Sequence, residues 1–361
     1  MKETWHVGLL LAIPSWLLSG CMTGYLVKQG VAQLRVLTHR VPVEDALPDL
    51  DEDARARIAI IQEAKTFARD TLGLPVENVY ETYSGVHPDP IWNISACPKD
   101  RLEPYTWRYP LVGRLPYIGF YNREDAEKER QRLLDMDLDV MMYGAGAFSS
   151  LGWFSDPIVP SMLRYRPDTL VNVVIHESAH RYLYFRGRAE FNESFASFVG
   201  DVGAIRFFEQ RDGPDHPNTR RARGLRSDAR TFETFLQGVL EDLETLYADP
   251  DLSRDEKLAE REKRFHAAQE AFLQLPLETD AYARFASEPL DNARLLAMRR
   301  YGRQALFDRL LEACHGDLGA AMAEVKALDP RKAPRKERRK DLFDRLARRL
   351  DQGTACRQTE D

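Results

Sequence analysis

Apolar residues recur at three- and four-residue intervals along most of this chain, the spacing that places them on one face of a helix. The spacing runs through residues 25–37 and again through 51–72, where Ile58, Ile61, Ala64, Phe67 and Ala68 make one stripe that stops at Gly73, ahead of Pro75. Asn122 can cap a helix reaching to about residue 135. Residues 170–185 and 191–208 read as two strongly apolar helices separated by Gly187. Two long amphipathic helices follow near 228–247 and 254–275, the second opened by a capping box of Ser253 and Glu256. Further helical spacing covers 289–311, 318–328 and 340–350. Strand-like character is confined to 79–84 and 139–148, the latter carrying Gly144 and Gly146, while 86–116 is rich in proline and aromatics and predicts irregular structure with short strands. Residues 210–227, polar and basic with Gly and Pro, read as an exposed loop. These elements predict an α+β fold, mostly helical, with a small sheet ahead of the helix at 170–185.

Bulk properties change this picture little. At 361 residues and 43% hydrophobic content the chain can bury a proper core. A net charge of −6, mixed along the sequence, gives no electrostatic footprint for nucleic acid, and the basic run at 331–340 reads as solvated surface. Cys21, Cys97, Cys314 and Cys356 have no CxxC spacing, so neither a disulfide framework nor a cysteine metal site is indicated; an oxidising compartment allows one disulfide without choosing its partners.

The N-terminus is more informative. One lysine precedes an apolar stretch at 7–18, too short for a comfortable membrane span, and Ser19 and Gly20 stand before Cys21. Leu18-Ser19-Gly20-Cys21 resembles the lipobox of bacterial lipoproteins, which implies cleavage before Cys21 and lipidation of its thiol. Met22 in place of Asp then implies an outer-membrane anchor facing the periplasm.

The chemistry is concentrated in VVIHESAH, residues 173–180. Histidines four apart lie one above the other on a helix, so His176 and His180 can offer imidazole nitrogen to one ion. Glu177 is placed to take the proton of an attacking water. A catalytic zinc needs a third protein ligand. Twelve residues lie between His180 and Glu193, in FNESFASFVGD, where apolar neighbours would bury its carboxylate; a buried carboxylate needs a partner, and a metal is a natural one. Glu190 is the other acidic residue within reach. Asp201, eight residues beyond Glu193, either orients a ligand histidine or is an ordinary polar position. His39, His87, His216, His266 and His315 have no ligand spacing.

HESAH followed by FNESFASFVGD resembles the gluzincin metallopeptidases, whose second helix carries an NExxA-type motif with the ligand glutamate, although the gap between the two motifs is shorter here. Together with GYLVKQGVAQLRVL, TFARDTLGLP, YPLVGRLPYIGFY and AFSSLGWFSDPI, the pair is similar to the bacterial lipoprotein family described as predicted aminopeptidases, over most of the mature chain. That resemblance implies a zincin-like domain with one zinc ion on His176, His180 and Glu193, and with Glu177 as general base. It also makes AFSSLGWFSDP, residues 147–157, either the sheet edge that holds an extended peptide or simply a core strand and turn. Tyr301 is a candidate donor to the oxyanion.

The expected organisation is a signal peptide at 1–20, a helix and linker at 21–50 after lipidated Cys21, a catalytic domain at 51–330 and a basic tail or helix at 331–361. The expected function is zinc-dependent peptide hydrolysis at the membrane, by an aminopeptidase, with peptides as substrates and no nucleic-acid partner. A non-enzymatic envelope lipoprotein with a structural metal that binds peptides would carry the same two histidines but have no need of Glu177. A zinc hydrolase of non-peptide amides differs only in pocket shape.

Overall fold

Asp51 caps the third helix of this protein by accepting from the Ala54 N–H, and the predicted stripe of Ile58, Ile61, Ala64, Phe67 and Ala68 is buried along it. The computed structural model describes residues 21–77, 79–86, 91–109, 113–145, 156–299, 303–334 and 340–356. In chain order, α1 (Cys21–Thr38), β1 (Val41–Pro42), α2 (Val43–Ala46) and α3 (Glu52–Asp70) lead into β2 (Val79–Tyr83), β3 (Ile91–Pro98), β4 (Trp107–Tyr109), β5 (Gly113–Leu115) and β6 (Ile118–Phe120). Then come α4 (Arg123–Leu134), β7 (Leu138–Ala145), β8 (Asp156–Ile158), α5 (Pro167–Tyr182), α6 (Ala189–Asp212), α7 (Pro217–Ala248) and α8 (Arg254–Phe272). The rest is helical: α9 (Arg284–Ser287), α10 (Asn292–Arg299), α11 (Gln304–Ala313), α12 (Leu318–Ala327) and α13 (Leu342–Asp351). The fold is thus α+β and mostly helical, as the periodicity predicts.

The strands form three small sheets. β1, β2 and β8 make one, in which β8 runs parallel to β2; β6, β3 and β7 make a second, antiparallel throughout; β4 and β5 pair alone. Because β3 is central, β7 keeps one edge unpaired by any described strand. The main hydrophobic core collects α3, α5, α6, α11, α12 and α13. A second core of aromatics and leucines lies among α7, α8, α9 and α10, and a third packs α4 on β3, β6 and β7.

Two expectations are corrected. Residues 210–227 are not a loop: α6 continues to Asp212, and after a short turn α7 opens with Pro217 at its first helical position. The burial there is polar, which hides it from apolar periodicity. Thr219, Gly224, Arg226 and Asp228 are all buried; Arg226 pairs with Asp308, and Asp228 accepts from the Glu278 and Thr279 backbone at 2.7 and 2.8 Å. The single helix expected at 289–311 is two helices, α10 and α11, and Arg303 at φ 61° breaks the run before α11. The capping boxes and caps at Asn122 and Ser253 form as expected.

The C-terminal helix is α13, and its Leu342, Phe343 and Leu346 are built into the main core. A disulfide between Cys314 and Cys356 ties the end of the chain to α11, closing a loop of 42 residues. Cys97 is a buried free thiol, pushed up to about 12 by burial. Closing a loop of that length removes about 4 kcal/mol of chain entropy from the unfolded state. Cys314→Ser should therefore lower the unfolding free energy by roughly 2–5 kcal/mol. Urea titrations of the two proteins check this, and coincident midpoints would show that the bridge contributes nothing.

Candidate metal centre

Pro167 and Asp168 start α5, and of the three residues between its two histidines Ser178 and Ala179 are small and fully buried. That narrow side lets α6 come close. A Cβ on Gly203 would meet Ile175 at 2.9 Å and Leu72 at 3.0 Å, and one on Gly200 would meet the Asn172 carbonyl oxygen at 3.2 Å, so a larger residue at either position would force its neighbours to shift. The turn between the helices is fixed by a side chain that acts as a strand would. Phe185 N–H donates to Asn192 Oδ1 at 2.9 Å, and Asn192 Nδ2 donates back to the Phe185 carbonyl at 2.9 Å, with both residues buried. Gly187, in between, adopts φ 73°. Asn192 is the residue next to Glu193, so this clamp sets where the carboxylate points.

His176, His180 and Glu193 meet there, with one donor atom from each lying within 4.8 Å of the others. Glu193 Oε2 is 3.5 Å from His176 Nε2 and 3.7 Å from His180 Nε2. Two ligands held about 2.0–2.1 Å from one tetrahedral ion stand roughly 3.4 Å apart, so the spacing suits a shared ion. The donor set, two imidazoles and a carboxylate, is one that binds divalent transition metals, and His180 Nδ1 is buried with no hydrogen-bond partner among the described residues. Burial pushes Glu193 toward neutrality, yet the two imidazoles beside it more than reverse this and hold it well below the usual carboxylate range. The residues fit a divalent cation. Glu190 is not part of the cluster: its carboxylate faces Arg303 Nε at 3.3 Å.

A cavity of about 400 Å³ opens beside the triad, and His176, Glu177, Asn172, Asp201 and Tyr282 are among the residues that line it. Asp201 accepts from Asn172 Nδ2 at 2.7 Å. Burial raises its carboxyl to about 6, against the lowering fields of Arg226 and His176 and the Asn172 hydrogen bond. Tyr282, stacked on Phe232 at 4.2 Å, keeps its phenolic proton well above the usual range because of burial and the nearby Asp201, Asp228 and Glu233. Nothing in the sequence singled out Tyr282, which lies on a short segment without strong periodicity; Asn192 opens the NExxA-type motif, but the motif does not reveal its clamp on Phe185. A larger cavity of about 740 Å³ adjoins the first, sharing Ala229, Ala281 and Tyr282 with it. Four consecutive residues of the edge strand, Met141 to Gly144, line it.

Tyr301 lies outside the described residues, as do residues 147–155 of the expected peptide-binding edge; Asp156 and Pro157 belong to β8. Cys21 is the first residue of α1, and the segment at 1–20 is outside the described residues.

Residues 24–342 match the family model described as Putative aminopeptidase. No curated protein and no solved structure matches the chain.

Asn192→Ala should leave the Phe185 N–H and carbonyl buried without partners, at a cost of about 1–3 kcal/mol, and should loosen the position of Glu193. A lowered thermal midpoint together with weaker zinc binding in a chelator competition is the expected outcome. Wild-type zinc affinity in this variant would remove the clamp from the site.

Proposed function

The chain belongs to the family described as Putative aminopeptidase, and from that membership we propose that it is a zinc metallopeptidase of the gluzincin HExxH type, with a zincin-like fold, acting as an aminopeptidase in the bacterial envelope. The observation that carries this reading is the meeting of His176, His180 and Glu193 beside a cavity that also holds Glu177. His176, His180 and Glu193 would hold the ion. When bound, zinc polarises a carbonyl and eases deprotonation of water.

The remaining chemistry belongs to the chain. Glu177, one residue from the first ligand and facing the same cavity, accepts the proton of the attacking water and passes it to the leaving amine. Tyr282 keeps its proton and can donate its hydroxyl to the developing oxyanion. The free edge of β7 offers backbone N–H and C=O groups along the adjoining cavity, where an extended peptide can pair as an added strand. A purely structural metal would need neither a cavity beside its ligands nor a glutamate facing it.

Metal analysis joined to a peptide-library digest tests this. Wild-type protein should carry about one zinc per chain and cleave peptides, and His176→Ala should lose the metal. Glu177→Gln should keep the zinc and lose roughly 10²–10⁴-fold in rate. Full activity in Glu177→Gln would exclude the assigned base, and zinc without turnover in the wild type would favour the binding lipoprotein.

Attachment to the membrane belongs to the same reading. No described helix is long and apolar enough to cross a membrane. α1 nevertheless exposes Val27, Val31 and Leu34 at 59–63% on one face, while Tyr25 on another bonds the Gly119 carbonyl at 2.7 Å. A lipid on Cys21 would set that apolar face against the bilayer, in an outer membrane with the catalytic body in the periplasm. Metabolic labelling with a fatty-acid probe should mark the wild type and not Cys21→Ser. Equal labelling of both would end the assignment of Cys21.

A further inference from the structure

The larger cavity, about 740 Å³, is lined by neither the three candidate metal ligands nor Glu177, yet it adjoins the chamber lined by His176 and Glu177, sharing Ala229, Ala281 and Tyr282 with it. Its volume falls in the range of small-molecule and peptide-side-chain sites. Phe232, Leu236, Phe285 and Met298 give it an apolar floor, and β7 forms one wall.

Its charges are almost all spoken for. Arg294 pairs with Glu288 and also donates to the Arg284 carbonyl at 3.1 Å; Arg284, at the mouth, faces Glu288 at 3.7 Å. Arg303 faces Glu190, outside the cavity lining, at 3.3 Å. Glu233 spends its carboxylate on the first turn of α11, accepting from the Gln304 N–H at 2.6 Å. One cation is left. Arg299, in the last turn of α10, is half-buried on the cavity wall and makes no ion pair or hydrogen bond with any described residue. A guanidinium presents a planar fork matched to a carboxylate, and partial burial beside apolar walls strengthens that contact.

We propose that this cavity is a substrate subsite that takes a large apolar side chain on its floor and a carboxylate on Arg299, so that the enzyme prefers short peptides ending in an apolar residue with a free C-terminus. The inference rests on the reading of the adjoining chamber as the hydrolytic one. The β7 edge favours a peptide over a fatty acid: an acyl chain has no use for a row of backbone groups that no described strand pairs.

Binding to the zinc-loaded Glu177→Gln protein, measured by calorimetry, tests the subsite apart from catalysis. The probes are Ala-Ala-Phe, Ala-Ala-Phe amide, Ala-Asp-Phe amide and palmitate. Ala-Ala-Phe should bind about 10–100-fold more tightly than its amide, the scale of one charge-assisted contact. Adding Arg299→Met should abolish that ratio without changing the affinity for the amide, while adding Arg299→Lys, which keeps the charge, should retain part of it. If Ala-Asp-Phe amide recovers the affinity in an Arg299-dependent way, the carboxylate is accepted from a side chain as well as from the C-terminus. Equal binding of acid and amide, an undiminished ratio in the Arg299→Met protein, or displacement of Ala-Ala-Phe by palmitate at lower concentration would overturn the proposal. Failure of the peptidase reading would instead appear as absent hydrolysis by the wild type, whatever the binding shows.

Discussion

The close contact between α5 and α6 is the constraint on which the site depends. Histidines one turn apart on α5 can share an ion only if a third donor arrives from elsewhere, and it must arrive within a few tenths of an ångström. Gly200 and Gly203 let α6 approach the α5 backbone, and the paired hydrogen bonds between Asn192 and Phe185 fix the turn that aims Glu193. The two devices act at opposite ends of the contact. Together they make the carboxylate position a property of packing rather than of a flexible loop. The large core shared by α3, α5, α6 and α11 to α13 then holds both helices, and the Cys314–Cys356 bridge closes that core from the C-terminal side.

The same contact accounts for opposite behaviour in two carboxylates on one helix. Glu193 is buried beside two imidazoles and stays ionised. Asp201, two turns on, is buried with only an Asn172 hydrogen bond and the more distant fields of Arg226 and His176, and burial wins, lifting it to about 6. An anion is retained where donors converge and discouraged one cavity wall away, which keeps the negative charge at the place a cation would sit.

What was legible in the sequence follows from what periodicity can report. His176, His180 and Glu193 could be read together because the apolar helices that carry them are regular and the interval between them contains an obvious turn at Gly187. The α+β class and most helix positions came from the same signal. The start of α7 did not, because its buried face is made of Thr219, Gly224, Arg226 and Asp228, whose burial is stabilised by ion pairs and backbone donors far away in the chain. Asn192 stood in the NExxA-type motif beside Glu193, and its bonds to Phe185, seven residues back, were not readable there. The pairing of Cys314 with Cys356 depends on how α13 docks, and no spacing rule encodes that.

α7 is the element that joins recognition to chemistry. Its Ala229 lines both cavities, its Phe232 stacks on Tyr282 at their junction, and its Glu233 reaches over to cap α11. One helix therefore packs against Tyr282, lines both cavities and secures the start of α11. On the proposed reading, a substrate filling the larger chamber would press on the same side chains that border the hydrolytic one. Binding energy gathered away from the scissile bond can, on that same reading, be used at it, since the residues common to the two cavities are Ala229 of α7 and the Ala281–Tyr282 turn, which is packed on α7 through the Phe232–Tyr282 stack.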